Sequence, residues 1–157
     1  MTGIMFELTE SDRRILRALQ QDSRISNQEL AERAGMSASA CWRRVKAMEE
    51  AGVVAAWPAV LDASRCGLAF AAIVHVTLTR HETAHVATFI EKVAERPEVL
   101  ECFATTGEAD YHLRVVCRDK DAYNDFLESF LFRLPGIAHV RTNLVLKDIK
   151  LNGRLPL

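Results

Sequence analysis

The stretch SNQELAERAGMSASACWRRVKAMEEAG, residues 26–52, constrains the chain more than any other. Ser26 can cap a helix, and Glu29 three residues on completes the pattern of a capping box. Leu30, Ala31 and Ala34 give that short helix an apolar side, and Gly35 breaks it, with Met36 as an apolar plug for the turn. Ser37 is the next cap. Cys41, Val45 and Met48 then recur at i, i+4 and i+7 and share one face. Gly52 stands where this second helix ends. Two short helices joined by a tight turn make a helix-turn-helix candidate.

The outward face of the second helix carries the chemistry. At 100° per residue, Ser39, Arg43 and Lys46 lie opposite the Cys41/Val45/Met48 stripe, with Trp42 and Arg44 on its flanks. Short polar groups sit near the helix start and three cations along its body. A helix N-terminus suits a phosphate, and the major groove of duplex DNA admits a helix of this width. The plain alternative is a solvated basic face. Arg43 and Lys46 are the leading DNA contacts: Arg suits a guanine edge, Lys a phosphate. Ser37 reads first as a cap and then as a DNA contact, Ser39 as a contact. Arg44 lies nearer the buried side and reads as a phosphate or salt-bridge residue. Trp42 divides between the sugar-phosphate backbone and domain packing.

The totals bear on which partners are allowed. The net charge of −1 over 157 residues argues against indiscriminate polyanion binding, yet the only charged side chains between Met36 and Met48 are Arg43, Arg44 and Lys46. A local cationic patch on a near-neutral chain suits a binder in which several copies act together. No apolar run reaches the roughly 18 residues a membrane helix needs. The start, MTGIMFELTESD, has no basic region followed by an apolar one, so no secretory signal and a cytoplasmic protein are expected. Four Cys without a CxxC point to reduced, mostly buried thiols and no Cys metal site.

Upstream, Thr9 is a cap with Asp12 in the first turn, and Ile15, Leu16 and Leu19 form the stripe of a first helix that ends near Gln21–Asp22. Downstream of Gly52, Val53, Val54, Trp57 and Val60 suggest a short strand pair or an extended arm, which Pro58 limits to an edge or bend. Trp57 reads as a hinge anchor. A domain boundary follows near residues 60–66, giving expected domains 1–60 and 61–157.

The second half changes rhythm. Leu68 to Leu78 alternates as a strand, Val86, Phe89, Ile90 and Val93 share a helical face, and Pro97 stops that helix. Val99 to Thr105 and Tyr111 to Cys117 are strands around a turn at residues 107–110. Asp119 caps a helix bearing Tyr123, Phe126 and Phe130, and Ile137 to Leu146 is a last strand. The order βαββαβ is the ferredoxin-like arrangement. Two helices cover one sheet face; the other also carries apolar residues, and a second copy is its simplest cover. His75, His112 and His139 fall on three strands, where they can share a sheet face, but lack metal-ligand spacing, so no metal is expected. Cys102 and Cys117 read as small apolar groups.

The chain resembles the Lrp/AsnC, or feast/famine, family of prokaryotic transcriptional regulators. The stretches that carry this are LTESDRRILRALQQDSRISNQELAERAGMS, SACWRRVKAMEEAGVV, RPEVLECFATTGEADYHLRVVCRD and LPGIAHVRTNLVLKDIK, which together span nearly the whole chain. The resemblance implies an α+β protein with a winged-helix-like N-terminal domain that binds double-stranded DNA, a hinge, and a ferredoxin-like domain that dimerises through its sheet. It further implies a homodimer assembling to an octamer and an amino acid effector bound between C-terminal domains. In the family's T-G-x-x-D loop the matching residues are Thr106, Gly107 and Asp110, with Glu108 inside the motif and Thr105 beside it. A carboxylate at Asp110 can receive an ammonium group, and amides near Gly107 a carboxylate. Ala40 stands where many members carry proline. Neither a cofactor nor catalytic residues are implied. An effector-independent architectural DNA-binding protein is the competing reading. A sirohaem decarboxylase-like enzyme, known on this scaffold, is a third.

Overall fold

The first helix is set by its cap. Thr9 stands before α1 (Glu10–Gln21); its hydroxyl accepts the Asp12 N–H, and the Asp12 carboxylate accepts the Thr9 N–H in return, a complete capping box. α2 (Asn27–Ala34) starts from Ser26, whose hydroxyl accepts the Glu29 N–H at 3.2 Å. The reciprocal half of the expected box is replaced, because the Glu29 carboxylate reaches Arg33 at 2.6 Å. Gly35 ends α2 in the left-handed conformation at φ 71°, as a residue without Cβ can. α3 (Ala38–Glu50) follows at once, capped by Ser37. Ile15, Leu16, Leu30, Ala31, Ala34, Cys41 and Met48 are buried together, with Val45, Met36 and Ile25 packed partly against them. Each larger side chain in that small core stabilises the unit by roughly 1.5–3 kcal/mol.

The computed structural model describes residues 6–79 and 83–157. The first residues of the N-terminal stretch in which the sequence shows no secretory signal lie outside them. The chain forms two units: residues up to Val60 together with Lys150–Leu157, and Leu61–Ile149. The tail Lys150–Leu157 thus packs with the helical unit rather than with the second domain, to which the sequence reading assigns it. After α3, Val53 and Val54 both donate to the Met48 carbonyl. Beyond them the chain runs as an extended arm to Asp62; of the two readings of this stretch, the strand pair is not formed. A turn over Asp62–Gly67 then spends the Leu68 N–H on the Ala63 carbonyl, so the next strand begins two residues later than its alternation suggests.

The second unit is an antiparallel four-stranded sheet, order β2-β3-β1-β4, with β1 Phe70–Leu78, β2 Val99–Ala104, β3 Tyr111–Cys117 and β4 Ile137–Leu144. α4 (Thr83–Ala94) and α5 (Lys120–Ser129) cover one face, and a short 3-10 turn at Leu131–Arg133 leads into β4. Ala72, Val74, Val76 and Leu78 of β1 meet Phe89 and Val93 of α4 and Tyr123 and Phe126 of α5 in one apolar core. Asp119 caps α5 through the Ala122 N–H at 2.8 Å. Phe70 stacks on Tyr123, whose hydroxyl meets Thr142 Oγ1 at 2.6 Å.

The opposite face is more polar than its apolar reading suggests. The strand register sets His75, His112, Arg114, His139, Arg141 and Asn143 there beside Ile73 and Phe103. His75 and His112 are directly opposed, with their Nδ1 atoms 2.8 Å apart. β2 is an edge strand that the helices do not fully cover. Cys102 on its helix side is therefore exposed, as is Cys66 in the turn before β1; Cys41 and Cys117 are buried, so the thiols are evenly divided rather than mostly buried.

Candidate nucleic-acid interface and ligand loop

The face of α3 is fixed from beneath by a charge that the fold has buried. Asp12 on α1 is fully inaccessible. Arg44 Nε donates to Asp12 Oδ1 at 2.7 Å and Nη2 donates to Oδ2, while the Thr9 N–H and hydroxyl donate to Oδ2 at 2.8 and 2.7 Å. The Arg44 guanidinium holds the Asp12 carboxyl down at about 2, against the opposing effect of burial and with help from Thr9. The same guanidinium lies 5.2 Å from the Phe6 ring centre. Arg44 is thus the salt-bridge residue of its two readings. It docks α3 on α1, with its side chain still 36% exposed.

That docking turns the other polar side chains outward. Ser37, Ser39, Trp42, Arg43 and Lys46 are all exposed; Ser39, Trp42, Arg43 and Lys46 share one side of α3, and Ser37 stands at its start. Ser37 spends its hydroxyl on the Ala40 N–H at 3.3 Å and lies 3.3 Å from the Ser39 hydroxyl. Trp42 does not pack into the domain; it is 56% exposed. Asn27 Nδ2 donates to the Ala38 carbonyl at 2.9 Å and ties the start of α2 to the start of α3. Among the described residues Arg43 has no ion-pair partner. Lys46 is held by Glu49 at 3.0 Å, and Glu49 also accepts from the Trp57 indole at 2.9 Å. The Lys46 ammonium and the Trp57 N–H both push the Glu49 carboxyl below its ordinary value. Trp57 is thereby anchored to the helix end. Asp12 gives no local signal in the sequence, being 32 residues from Arg44. Glu49, three residues from Lys46, is a helical pair that spacing alone reveals.

In the sheet unit the loop between β2 and β3 closes on itself. The Thr105 N–H donates to the Asp110 carbonyl at 3.0 Å, and the Thr105 hydroxyl to the Ala109 carbonyl at 3.2 Å. Gly107 at φ 124° makes the turn between them. Asp110 continues the ladder by donating its N–H to the Val76 carbonyl, and its Oδ2 accepts the Leu78 N–H at 2.8 Å. One carboxylate oxygen is therefore committed to the end of β1. Thr106, Gly107 and Glu108 are exposed on the turn. Glu108 pairs with Arg141 at 3.5 Å, and its carbonyl accepts from Thr77 Oγ1. A cavity of about 220 Å³ is lined by Glu108, Ala109, Thr77, His75, His139 and Arg141. Of the loop residues named from the sequence, only Glu108 lines it. The pairing of the loop with β4 through Arg141 has no local sequence signal.

A helix-turn-helix with an exposed basic face, followed by a βαββαβ domain with a closed glycine loop, defines a DNA-binding regulator that carries a ligand-binding domain. Residues 8–55 match the model of winged helix-turn-helix DNA-binding domains. Residues 71–155 match that of the Lrp/AsnC ligand binding domain. The chain is similar to the Bkd operon transcriptional regulator of Pseudomonas aeruginosa, 39% identical over 98% of this chain and 100% of the relative. It is also similar to the leucine-responsive regulatory protein of Rhizobium meliloti, 38% identical over 94% of each chain. Among solved structures, a transcriptional regulator of Neisseria meningitidis in complex with L-Met superposes with a TM-score of 0.91. That pair is 36% identical and covers 96% of this chain and 97% of the other. The chain belongs to the Lrp/AsnC family of transcriptional regulators.

Proposed function

We propose that this regulator reads duplex DNA through Ser39, Arg43 and Lys46 on α3, and that a small amino acid held by the β2–β3 loop alters that binding. The observation that carries the first part is the burial of Asp12 under Arg44. It engages one cation of α3 and fixes the helix so that Ser39, Arg43 and Lys46 share the exposed side. Arg43 supplies a fork for a guanine edge, and Ser37, Ser39 and the helix start suit a phosphate. Trp42 rests against the sugar-phosphate backbone. Arg44 acts through the position it gives α3.

For the ligand, Asp110 offers its second carboxylate oxygen, Oδ1, to an ammonium group. Amides of Thr106, Gly107 and Glu108 are the donors for a carboxylate, with Thr105 shaping the turn. The L-Met complex of the Neisseria meningitidis regulator supports an amino acid as the effector class. Two copies joined by the open sheet faces, and octamers of such dimers, present the α3 helices as a set. The protein acts in the cytoplasm as a regulator rather than as an enzyme, in keeping with the regulator names of its relatives.

A screen of amino acids against the wild-type protein on an operator-length duplex tests this reading. Binding that falls steeply with salt and changes with one amino acid supports it. Binding without sequence preference or response to any amino acid supports an architectural role instead.

A further inference from the structure

The tail Lys150–Leu157 leaves the sheet unit and is packed into the helical unit, so the chain crosses between the two units twice, at residues 60–61 and again at 149–150. The second crossing ends in a defined clasp on α1. The Gln20 amide meets both backbone groups of Leu155: Leu155 N–H donates to Gln20 Oε1 at 2.6 Å, and Gln20 Nε2 donates to the Leu155 carbonyl at 3.3 Å. Arg154 Nε donates to the Gln20 carbonyl at 3.1 Å, and Arg17 Nε to the Leu157 carbonyl at 2.5 Å. Leu155 and Leu157 border an apolar groove of about 560 Å³ together with Leu16, Leu19, Val54 and Trp57. Leu157 packs partly against the helical core, whereas Leu155 stays 68% exposed. Exposed hydrogen bonds of this kind are individually weak. The clasp is specific in its geometry and light in its hold.

We propose that residues 150–157 are a releasable latch, a second tether that restrains the helix-turn-helix unit and so sets which spacing of DNA half-sites the assembled protein accepts. The arm over residues 55–61 carries no regular structure. A flexible tether of those seven residues allows excursions of roughly 15 Å, a little under half a turn of DNA. A second attachment on α1, the helix that Asp12 and Arg44 lock to α3, removes most of that freedom from the reading helix. The groove beside Leu155 takes the extended tail end because it is lined by both α1 and the arm, so seating the tail joins the two.

Both Trp residues of the chain, Trp42 and Trp57, belong to the helical unit, so tryptophan fluorescence reports that unit alone. The test uses a Trp42→Phe background, leaving Trp57 as reporter, and compares it with two variants. One adds Arg17→Ala and Gln20→Ala; the other ends the chain after Ile149. Helical circular dichroism checks that each remains folded. The latch requires a new fast component in the anisotropy decay of both variants that the parent lacks. An unchanged decay in the folded double variant, or a fast component already present in the parent, would overturn it. The spacing claim rests on the DNA reading and is measured separately. With five base pairs inserted between half-sites, the parent is expected to lose at least tenfold in affinity and the variants less than threefold. Equal losses would overturn the spacing role. A parent that binds no duplex would sink the DNA reading, while the anisotropy result would still decide the latch.

Discussion

Arg44 and Asp12 form a two-pronged ion pair between the reading helix and the first helix, with the carboxylate fully buried and also capping α1 through Thr9. One carboxylate therefore starts one helix and aims another. Removing it strands a guanidinium against the small core, and removing Arg44 strands a buried charge.

The pair has a pH signature. The Asp12 carboxyl is held at about 2 against an ordinary 3.8, so its contribution is fully present above pH 4 and is lost as pH falls toward 2. The shift corresponds to about 2 kcal/mol. Asp12→Ala is expected to lower the stability of the helical unit by about 2–4 kcal/mol at pH 7. Its gap from the wild type should narrow as pH falls from 4 to 2. Urea denaturation followed across that range checks it; a gap independent of pH would contradict the assignment.

His75 acts in the same direction in a higher window. Burial, then the neighbouring His112 and Arg141, push its imidazole below 6.5. The unfolded chain thus takes up more protons, and stability should fall as pH drops through about 6.5. His112→Gln removes one ring of the pair and is expected to flatten the dependence between pH 7 and 5. Denaturant midpoints at those two values, compared between wild type and variant, decide it.

Asp110 combines a structural bond with a proposed ligand contact, and two substitutions separate them. Asp110→Asn keeps a carbonyl oxygen for the Leu78 N–H but loses the charge; Asp110→Ala loses both. The first is expected to leave stability within about 0.5 kcal/mol and the second to cost about 1 kcal/mol. Amino acid affinity should fall tenfold or more in both, by calorimetry. Unchanged affinity in Asp110→Asn would reject the ammonium contact.

Gly136 turns into β4 at φ 79°, and a Cβ there would stand 2.8 Å from His85 Cβ. Gly136→Ala combines strain with a clash and is expected to destabilise the sheet unit by about 1–3 kcal/mol. Thermal unfolding measures this directly.

The helices were legible because their signals are local. Thr9, Ser26, Ser37 and Asp119 each cap the helix that follows, and the stripes at helical spacing face the cores. The alternation in β1 and β3 gave the sheet, and the order of elements gave its topology. What escaped is long-range. Nothing near Arg44 announces Asp12, nothing near Gln20 announces Leu155, and the polar mix on the open sheet face emerges only once strand register sets His75 opposite His112. The cavity beside Glu108 likewise depends on Arg141 arriving from β4.

The central claim is that the exposed side of α3 reads DNA. Its most direct test is the affinity of Arg43→Ala/Lys46→Ala for an operator-length duplex, measured across 50–200 mM salt on protein whose assembly state is checked in parallel. The account requires a loss of at least a hundredfold, a shallower dependence on salt by one to two units of slope, and unaltered assembly. Wild-type affinity and slope in that double variant would contradict it.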